Sequence, residues 1–234
     1  MTDPALLPLS TTTDEQDRRA DVAILPVGSF EQHGPFLPLI TDTVIACTIG
    51  HAVSAAYPVL HLPPITISCS HEHAGWTGTV SISARTLYSV ITDIAHDVRR
   101  SGIEKLVLIN GHGGNYVLGN VVQEAEHPMA LFPTAEDWDD TRIAAGLHTT
   151  AVGDMHAGEL ETSILLHAHP HLVRPGYETS DHTADDRRRL HTLGVAGYTT
   201  SGVIGRPSLA SADKGQAALA HLVTSFADCL AVLG

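Results

Sequence analysis

Carboxylates and imidazoles gather in four short stretches of the chain. In GSFEQHGPFLPLITDT (28–43), Glu31, His33 and Asp42 fall within twelve residues, around Gly34-Pro35. In an extended segment residues i and i+2 point the same way, so Glu31 and His33 can face one point. Asp42 follows the Pro35–Pro38 turn, where a helix begins. There it either returns to the same point or serves as a helix N-terminal carboxylate, favoured by the helix dipole. In NGHGGN (110–115), His112 stands among glycines, which permit close backbone approach to a ligand or a simple tight turn. The string lacks the Lys-Ser/Thr pair of a phosphate-cradling loop. In GDMHAGELETS (153–163), His156 precedes a helix, and Glu159 and Glu161 point in different directions on it, so both are not ligands. Glu161 projects where burial begins and needs a partner: a metal ion, an arginine or backbone amides. In SHEHAGWTGT (70–79), Ser70, His71, Glu72 and His73 either reach the same rim and meet substrate or form a structural turn.

No serine elbow and no thiol beside a base accompanies these groups. Three to five Asp, Glu and His ligands suit zinc, manganese or iron, with open positions for water. Two such ions about 3.5–4 Å apart can bridge a hydroxide and polarise a carbonyl oxygen. Asp42 is then the candidate for a bridging carboxylate.

The elements needed to bring these residues together are legible. VAILPVGS (22–29) reads as a buried strand and DTVIACTIGHAVSAAY (42–57) as a helix ending before Pro58. VLHLPPITIS (59–68) reads as extended. Leu87, Ile91, Ile94, Ala95 and Val98 share a face of an amphipathic helix over 83–102. KLVLINGHGGN (105–115) is a strand running into a loop, 116–127 a helix, MALFPT (129–134) a strand and 158–170 a helix, whose end His167, His169 and His171 mark. Alternating strands and helices predict a mostly parallel sheet covered on both faces, in one α/β domain spanning 1–234, with 1–20 poorly ordered. Ligands of such sheets bind beyond the carboxyl ends of the strands. Glu31 and His112 each follow a strand, so they can share one rim.

Composition narrows the partners. A net charge of -13 argues against nucleic acid or an anionic membrane. Arg187-Arg188-Arg189 after Asp185-Asp186 reads as a solvated helix face. Three scattered cysteines, Cys47, Cys69 and Cys229, give neither a disulfide framework nor a zinc knuckle, which fits a reducing cytosol. The N-terminus does not read as a secretory signal, and no apolar stretch approaches a membrane span. A cytoplasmic protein is expected.

At this point the sequence resembles the creatininase family of metal-dependent amidohydrolases. LPVGSFEQHGPFLPLITDT, SHEHAGWTGTVSIS, INGHGGN and HAGELETS carry the resemblance in the family's order, over roughly residues 20–230. It implies a three-layer α/β/α sandwich, two divalent metal ions per subunit (zinc, manganese or iron) and a homo-oligomer, often a hexamer. Glu31, Asp42 and His112 would hold one ion, and His33 with the shared Asp42 the other. His156 matches a histidine near the reacting amide, a proton donor to the leaving nitrogen. Creatininase itself has Tyr-Glu after the NGH histidine, where this chain has Gly113-Gly114; the tyrosine contacts creatinine and the glutamate binds metal. Glu161 is the carboxylate available in its place. Ser70, Glu72 and Gly113 are the positions expected to meet substrate. Val152-Gly153 stand where a substrate-binding Trp-Asp pair is expected, and Arg206 where an acidic residue is usual. Creatinine is therefore not the expected substrate. The implied activity is hydrolysis of a cyclic amide, a formamide or a short peptide by a metal-bound hydroxide. The glycine form resembles the peptidase branch of mycofactocin maturation, which acts on a peptide-derived cofactor precursor. A non-catalytic metal-binding scaffold and a lactonase are the alternatives.

Overall fold

The structure, a computed structural model, describes residues 6–234. Strands β1 (Val22–Val27), β2 (Leu60–His61), β3 (Lys105–Asn110) and β4 (Met129–Phe132) form one parallel sheet in the order β2-β1-β3-β4. β2 is shorter than the extended segment predicted over 59–68, because Pro63 and Pro64 remove two ladder donors.

Successive side chains of a strand face opposite ways, and both faces are covered. Val22 and Ile24 of β1, with Val107 and Ile109 of β3, pack under α2 (Thr41–Ala56), α6 (Glu159–Ala168) and α8 (Ala212–Val232). Ala23, Leu25 and Val27, with Leu106 and Leu108, pack under α3 (Ala84–Arg100) and α4 (Val117–Gln123). The result is the predicted three-layer α/β/α sandwich. α3 buries Leu87, Ile91, Ala95 and Val98 at helical spacing, and the Ser83 hydroxyl caps it by accepting from the Thr86 amide at 3.2 Å.

Four helices were not anticipated. α5 (Ala135–Ala144) starts with a capping box between Thr134 and Asp137. α7 (Leu190–Leu193) is a single turn. α8 is 21 residues long and, by length and composition, apolar enough to cross a membrane, contrary to the reading that no stretch approaches that length. Here it lays Gly215, Ala218, Leu219, Leu222 and Phe226 into the core. Within the N-terminal twenty residues, Thr12–Arg18 form α1, held by a Thr11–Asp14 capping box, and the Arg18 guanidinium donates to the Val59 carbonyl at 2.7 Å. Residues 1–5 lie outside the described residues.

Candidate metal centre

The loop leaving β1 carries Glu31 and His33, and the first turn of α2 returns Asp42; all three are buried. The His33 Nδ1 lies 3.1 Å from the Glu31 backbone carbonyl, which can only accept, so that nitrogen carries a proton. Its Nε2 then faces Asp42 Oδ1 at 2.9 Å and Glu161 Oε1 at 3.9 Å. The loop leaving β3 brings His112, whose backbone amide donates to the Asn110 side chain at 3.2 Å. His112 Nε2 is fixed by the Cys69 carbonyl at 2.9 Å, leaving Nδ1 3.0 Å from Asp42 Oδ2. Asp42 thus turns one oxygen to each imidazole. Carbonyls that fix the tautomer and orientation of an imidazole are a recurring outer shell of metal sites.

Three groups of ligand atoms each lie within 4.8 Å of one another: Glu31, His33 and His156; Glu31, Asp42 and His112; His33, Asp42 and Glu161. The sequence-derived set therefore converges, as does His156. Both oxygens of Glu31 are buried and form no hydrogen bond. His73 Nε2 and His112 Nε2 approach them at 3.1 and 3.2 Å without the alignment of one. A buried, unsatisfied carboxylate is costly unless a cation joins it. Among imidazoles, that is the donor chemistry of zinc or manganese.

The charges are strongly interdependent. Burial alone would lower the His33 imidazole, but Asp42 beside it, with Glu161 and Glu31, holds it up at about 9. His112 is likewise raised by Glu31 and Asp42 against burial. Burial would raise Asp42, yet the same two imidazoles keep it well below the usual carboxylate range. Burial raises Glu31 and Glu161, opposed by His112 and by His33 respectively. Burial, with the neighbouring His33 and His73, pushes His156 well down, so it is neutral.

The His156 ring lies between those of His33 and His73, with centroids 4.2 and 4.3 Å away and planes tilted by 39° and 43°. Its Nε2 meets the Gln32 carbonyl at 2.6 Å and so carries the proton; Nδ1, unprotonated, lies 3.8 Å from Glu31 Oε1. Its backbone pairs with Ile204, amide to carbonyl, at 2.9 and 3.0 Å. Asp154 does not touch it. That carboxylate accepts from the amides of Glu159 and Leu160 at the start of α6 (2.6 and 3.1 Å) and from Arg142 at 2.9 Å. Glu159 turns away from the site, accepting from Lys214 at 2.5 Å and the Thr149 hydroxyl at 2.8 Å. Glu161 turns inward, and its other oxygen accepts from the Ala157 amide.

His73, for which the sequence left substrate contact and a structural turn as equal alternatives, stands at the centre itself, 3.1 Å from Glu31. Gln32, oriented by its bonds to Gly34 and Gly202, donates to His73 Nδ1 at 2.9 Å, so the His73 proton sits on Nε2, towards Glu31. Its signal was present in SHEHAGWTGT, where a turn was an equally good account. Glu72 from the same turn reaches 3.3 Å from His112 Nε2. A Cβ on Gly114 would stand 1.7 Å from Glu72 Oε1 and 2.4 Å from His112 Nε2. The Glu72 carboxylate fills the space a side chain there would take, so a larger residue at 114 requires Glu72 and His112 to move.

Two cavities open on the centre. One, of about 720 Å³, is lined by Glu72, Gly113, His156 and Glu161 and extends to Arg187 and His191. The other, of about 390 Å³, is more apolar, with Leu131, Trp138 and Ile164 in its walls. They share His112, Gly113, Met155 and Glu161. Ser70 lies buried beside Glu31 and lines neither. The Arg187–Arg189 run is not a helix face. It lies in a loop before α7, where Arg188 grips Asp186 two residues back, and it borders the larger cavity.

Carboxylates and imidazoles clustered beyond the carboxyl ends of parallel strands, in an α/β/α sandwich, define a class of enzymes built around a metal site. A sequence profile of the creatininase family (creatinine amidohydrolase) matches residues 9–230, and the chain belongs to that family. The resemblance drawn from the four motifs is borne out. The chain is 36% identical over 240 residues to the mycofactocin precursor peptide peptidase of Mycobacterium ulcerans, covering 97% of this chain and 90% of that one. It is 32% identical to the protein of the same name from Mycolicibacterium smegmatis, covering 94% and 89%. A crystal structure of creatinine amidohydrolase superposes with a TM-score of 0.81 at 23% identity, covering 96% of this chain and 95% of that one.

Proposed function

We propose that the protein is a metal-dependent amidohydrolase, with Glu31, His33, Asp42, His112 and Glu161 holding two divalent ions and Asp42 shared between them. The carrying observation is the Glu31 carboxylate, buried without a hydrogen bond in a ring of imidazoles. When bound, such ions polarise the carbonyl oxygen and acidify the attacking water. His156, neutral at rest with Nδ1 turned inward, takes a proton from that water. It then returns the proton to the nitrogen as the C–N bond breaks, because an amine leaves poorly unless protonated. A non-catalytic scaffold would not need this acid–base group beside a full ligand set.

A peptide is the better substrate than a small cyclic amide. The two relatives named as peptidases support this, as do the paired cavities, which leave room on both sides of the residues they share. Glu72 and Gly113 line the larger cavity and are the proposed substrate contacts; Ser70 would act only through Glu31. The three free cysteines support a reducing, cytoplasmic setting. A homo-oligomer, hexameric as the resemblance implies, is the proposed assembly; light scattering at the monomer mass would rule it out.

Metal analysis of variants tests the core of the reading. Asp42→Ala should lose both ions and His33→Ala mainly one, while hydrolysis of an amide is abolished in each. Equal loss in the two variants would remove the bridging role. A wild-type protein that binds no divalent ion would overturn the whole reading.

A further inference from the structure

Four imidazoles meet at the centre, and three of them are held alike. His33 Nδ1 faces the Glu31 carbonyl, His156 Nε2 the Gln32 carbonyl and His112 Nε2 the Cys69 carbonyl. A carbonyl only accepts, so each of those nitrogens carries the proton and the other, bare nitrogen is turned inward. A bare nitrogen can bind a cation or take a proton. His73 is held the opposite way round. The Gln32 side-chain oxygen accepts from the Gly34 amide at 2.9 Å and its nitrogen donates to the Gly202 carbonyl at 3.1 Å, which fixes which end of the amide is which. That same nitrogen donates to His73 Nδ1 at 2.9 Å. The bare nitrogen of His73 is therefore used up, and its N–H is the one turned inward. On Nε2, this N–H passes 3.1 Å from Glu31 Oε1 without the alignment of a hydrogen bond, and it donates to no other group among the described residues. His73 is buried, yet it stands in the wall of the larger cavity beside Glu72 and His156.

An imidazole held in this tautomer neither ligates a metal nor acts as a base, because the nitrogen facing the centre already carries its hydrogen. What it can do is donate. Resting on the amidohydrolase reading above, we infer that His73 is a further catalytic residue, whose Nε2–H donates to the substrate carbonyl oxygen as negative charge forms there. Water adds its oxygen to the carbonyl carbon, and the π pair of the C=O bond moves onto the oxygen, where the His73 N–H meets it. No proton leaves His73. When that pair returns to the carbonyl the C–N bond breaks, and the proton for the nitrogen comes from His156. A donor fixed in place beforehand needs no reorganisation as the charge forms. Gln32 is then a positioning residue for both histidines: its side chain sets the tautomer of His73, and its backbone carbonyl that of His156. Gly202 leaves room for it, since a Cβ there would stand 1.7 Å from Gln32 Oε1.

The first arm of the test needs no substrate. In metal-free protein carrying isotopically labelled histidine, long-range proton–nitrogen NMR should show the His73 hydrogen on Nε2, with its signals assigned by their absence from His73→Gln. Gln32→Glu, whose carboxylate accepts where the amide donated, should place a hydrogen on Nδ1. A His73 hydrogen on Nδ1 in the wild type would overturn the inference. The second arm uses the metal-loaded protein with a pool of N-acetylated pentapeptides and N-formyl amines, hydrolysis being read by mass spectrometry. On the compound the wild type hydrolyses fastest, His73→Phe should lose about 10²–10³-fold in kcat with KM little changed, the scale of one lost oxyanion donor. Its metal content should equal that of the wild type. His73→Gln, which offers an N–H near the same place, should recover part of the loss. Metal loss from both variants would make His73 a support for Glu31 alone, and an unchanged kcat would leave it no catalytic task. Either result overturns the inference while the amidohydrolase reading stands. Hydrolysis of no compound in the pool by wild type that holds its metal would overturn that reading, and this inference with it.

Discussion

His156 presents two edges with different tasks: Nε2 is spent on the Gln32 carbonyl, and Nδ1 is left to exchange protons. His156→Ala should therefore keep its metal and lose about 10²–10⁴-fold in kcat, the usual scale of acid–base catalysis. An ester analogue should suffer less, since an alkoxide leaves with less help. Metal loss in this variant, measured by atomic absorption, would make His156 a ligand and leave His73 as the proton donor. A second expectation concerns pH. Without metal, His33 is raised to about 9 and Glu31 is also raised, so both hold protons at neutrality that a cation must displace. A raised pKa means more competition as pH falls. Metal affinity should therefore rise between pH 7 and 9 with net proton release, and a flat affinity profile by competition titration would contradict this. Most of these residues were legible because carboxylates and imidazoles at strand ends have few structural uses. The roles of His73 and Asp154 were not. A short turn gives no sign of which nitrogen faces inward, and Asp154 beside His156 in sequence points to α6 instead.

The segment between Asp154 and α6 shows how a helix start serves a site. Asp154 gathers the amides of Glu159, Leu160 and Arg206 and the Arg142 guanidinium on one buried carboxylate. This fixes where α6 begins, and so where Glu161 projects. Asp154→Ala strands a buried arginine and should cost about 3–5 kcal/mol, read by urea denaturation. A loss under 1 kcal/mol would show that α6 is held by its packing alone. That packing comes chiefly from α8, which sequence reasoning passed over. Its buried face, Gly215, Ala218, Leu219, Leu222 and Phe226, sits among further alanines (Ala212, Ala217, Ala220, Ala227 and Ala231) that blur helical periodicity. Gly215 is there because a Cβ would stand 2.0 Å from the Ser163 carbonyl of α6. α5 was hidden for the opposite reason, a run of acids with little apolar signal. α3, with one continuous apolar stripe and a serine cap, was readable from end to end.

On the scale of the whole molecule, the alternation of strands and helices was enough to place both layers on the sheet. It could not tell which cavity opens on the centre, because that depends on loops such as 183–189 with no periodicity of their own. Occupancy should matter to the fold. At metal a hundred times above its Kd, the native state gains about 2.7 kcal/mol. A chelator should then lower Tm by roughly 5–10 °C for a chain of this size, and an unchanged Tm in scanning calorimetry would mean no metal was held. The ligands also come from four places: the ends of β1 and β3 and the first turns of α2 and α6. Glu31 and His112 are 112 − 31 = 81 positions apart, and His112 and Glu161 are 161 − 112 = 49 apart. An ion that joins them ties the chain together as a covalent cross-link would, but only after the β1–β3 pairing has set the two loops side by side. It arrives too late to guide folding. Its effect falls on the reverse journey: the chain should come apart more slowly when loaded, and assemble no faster.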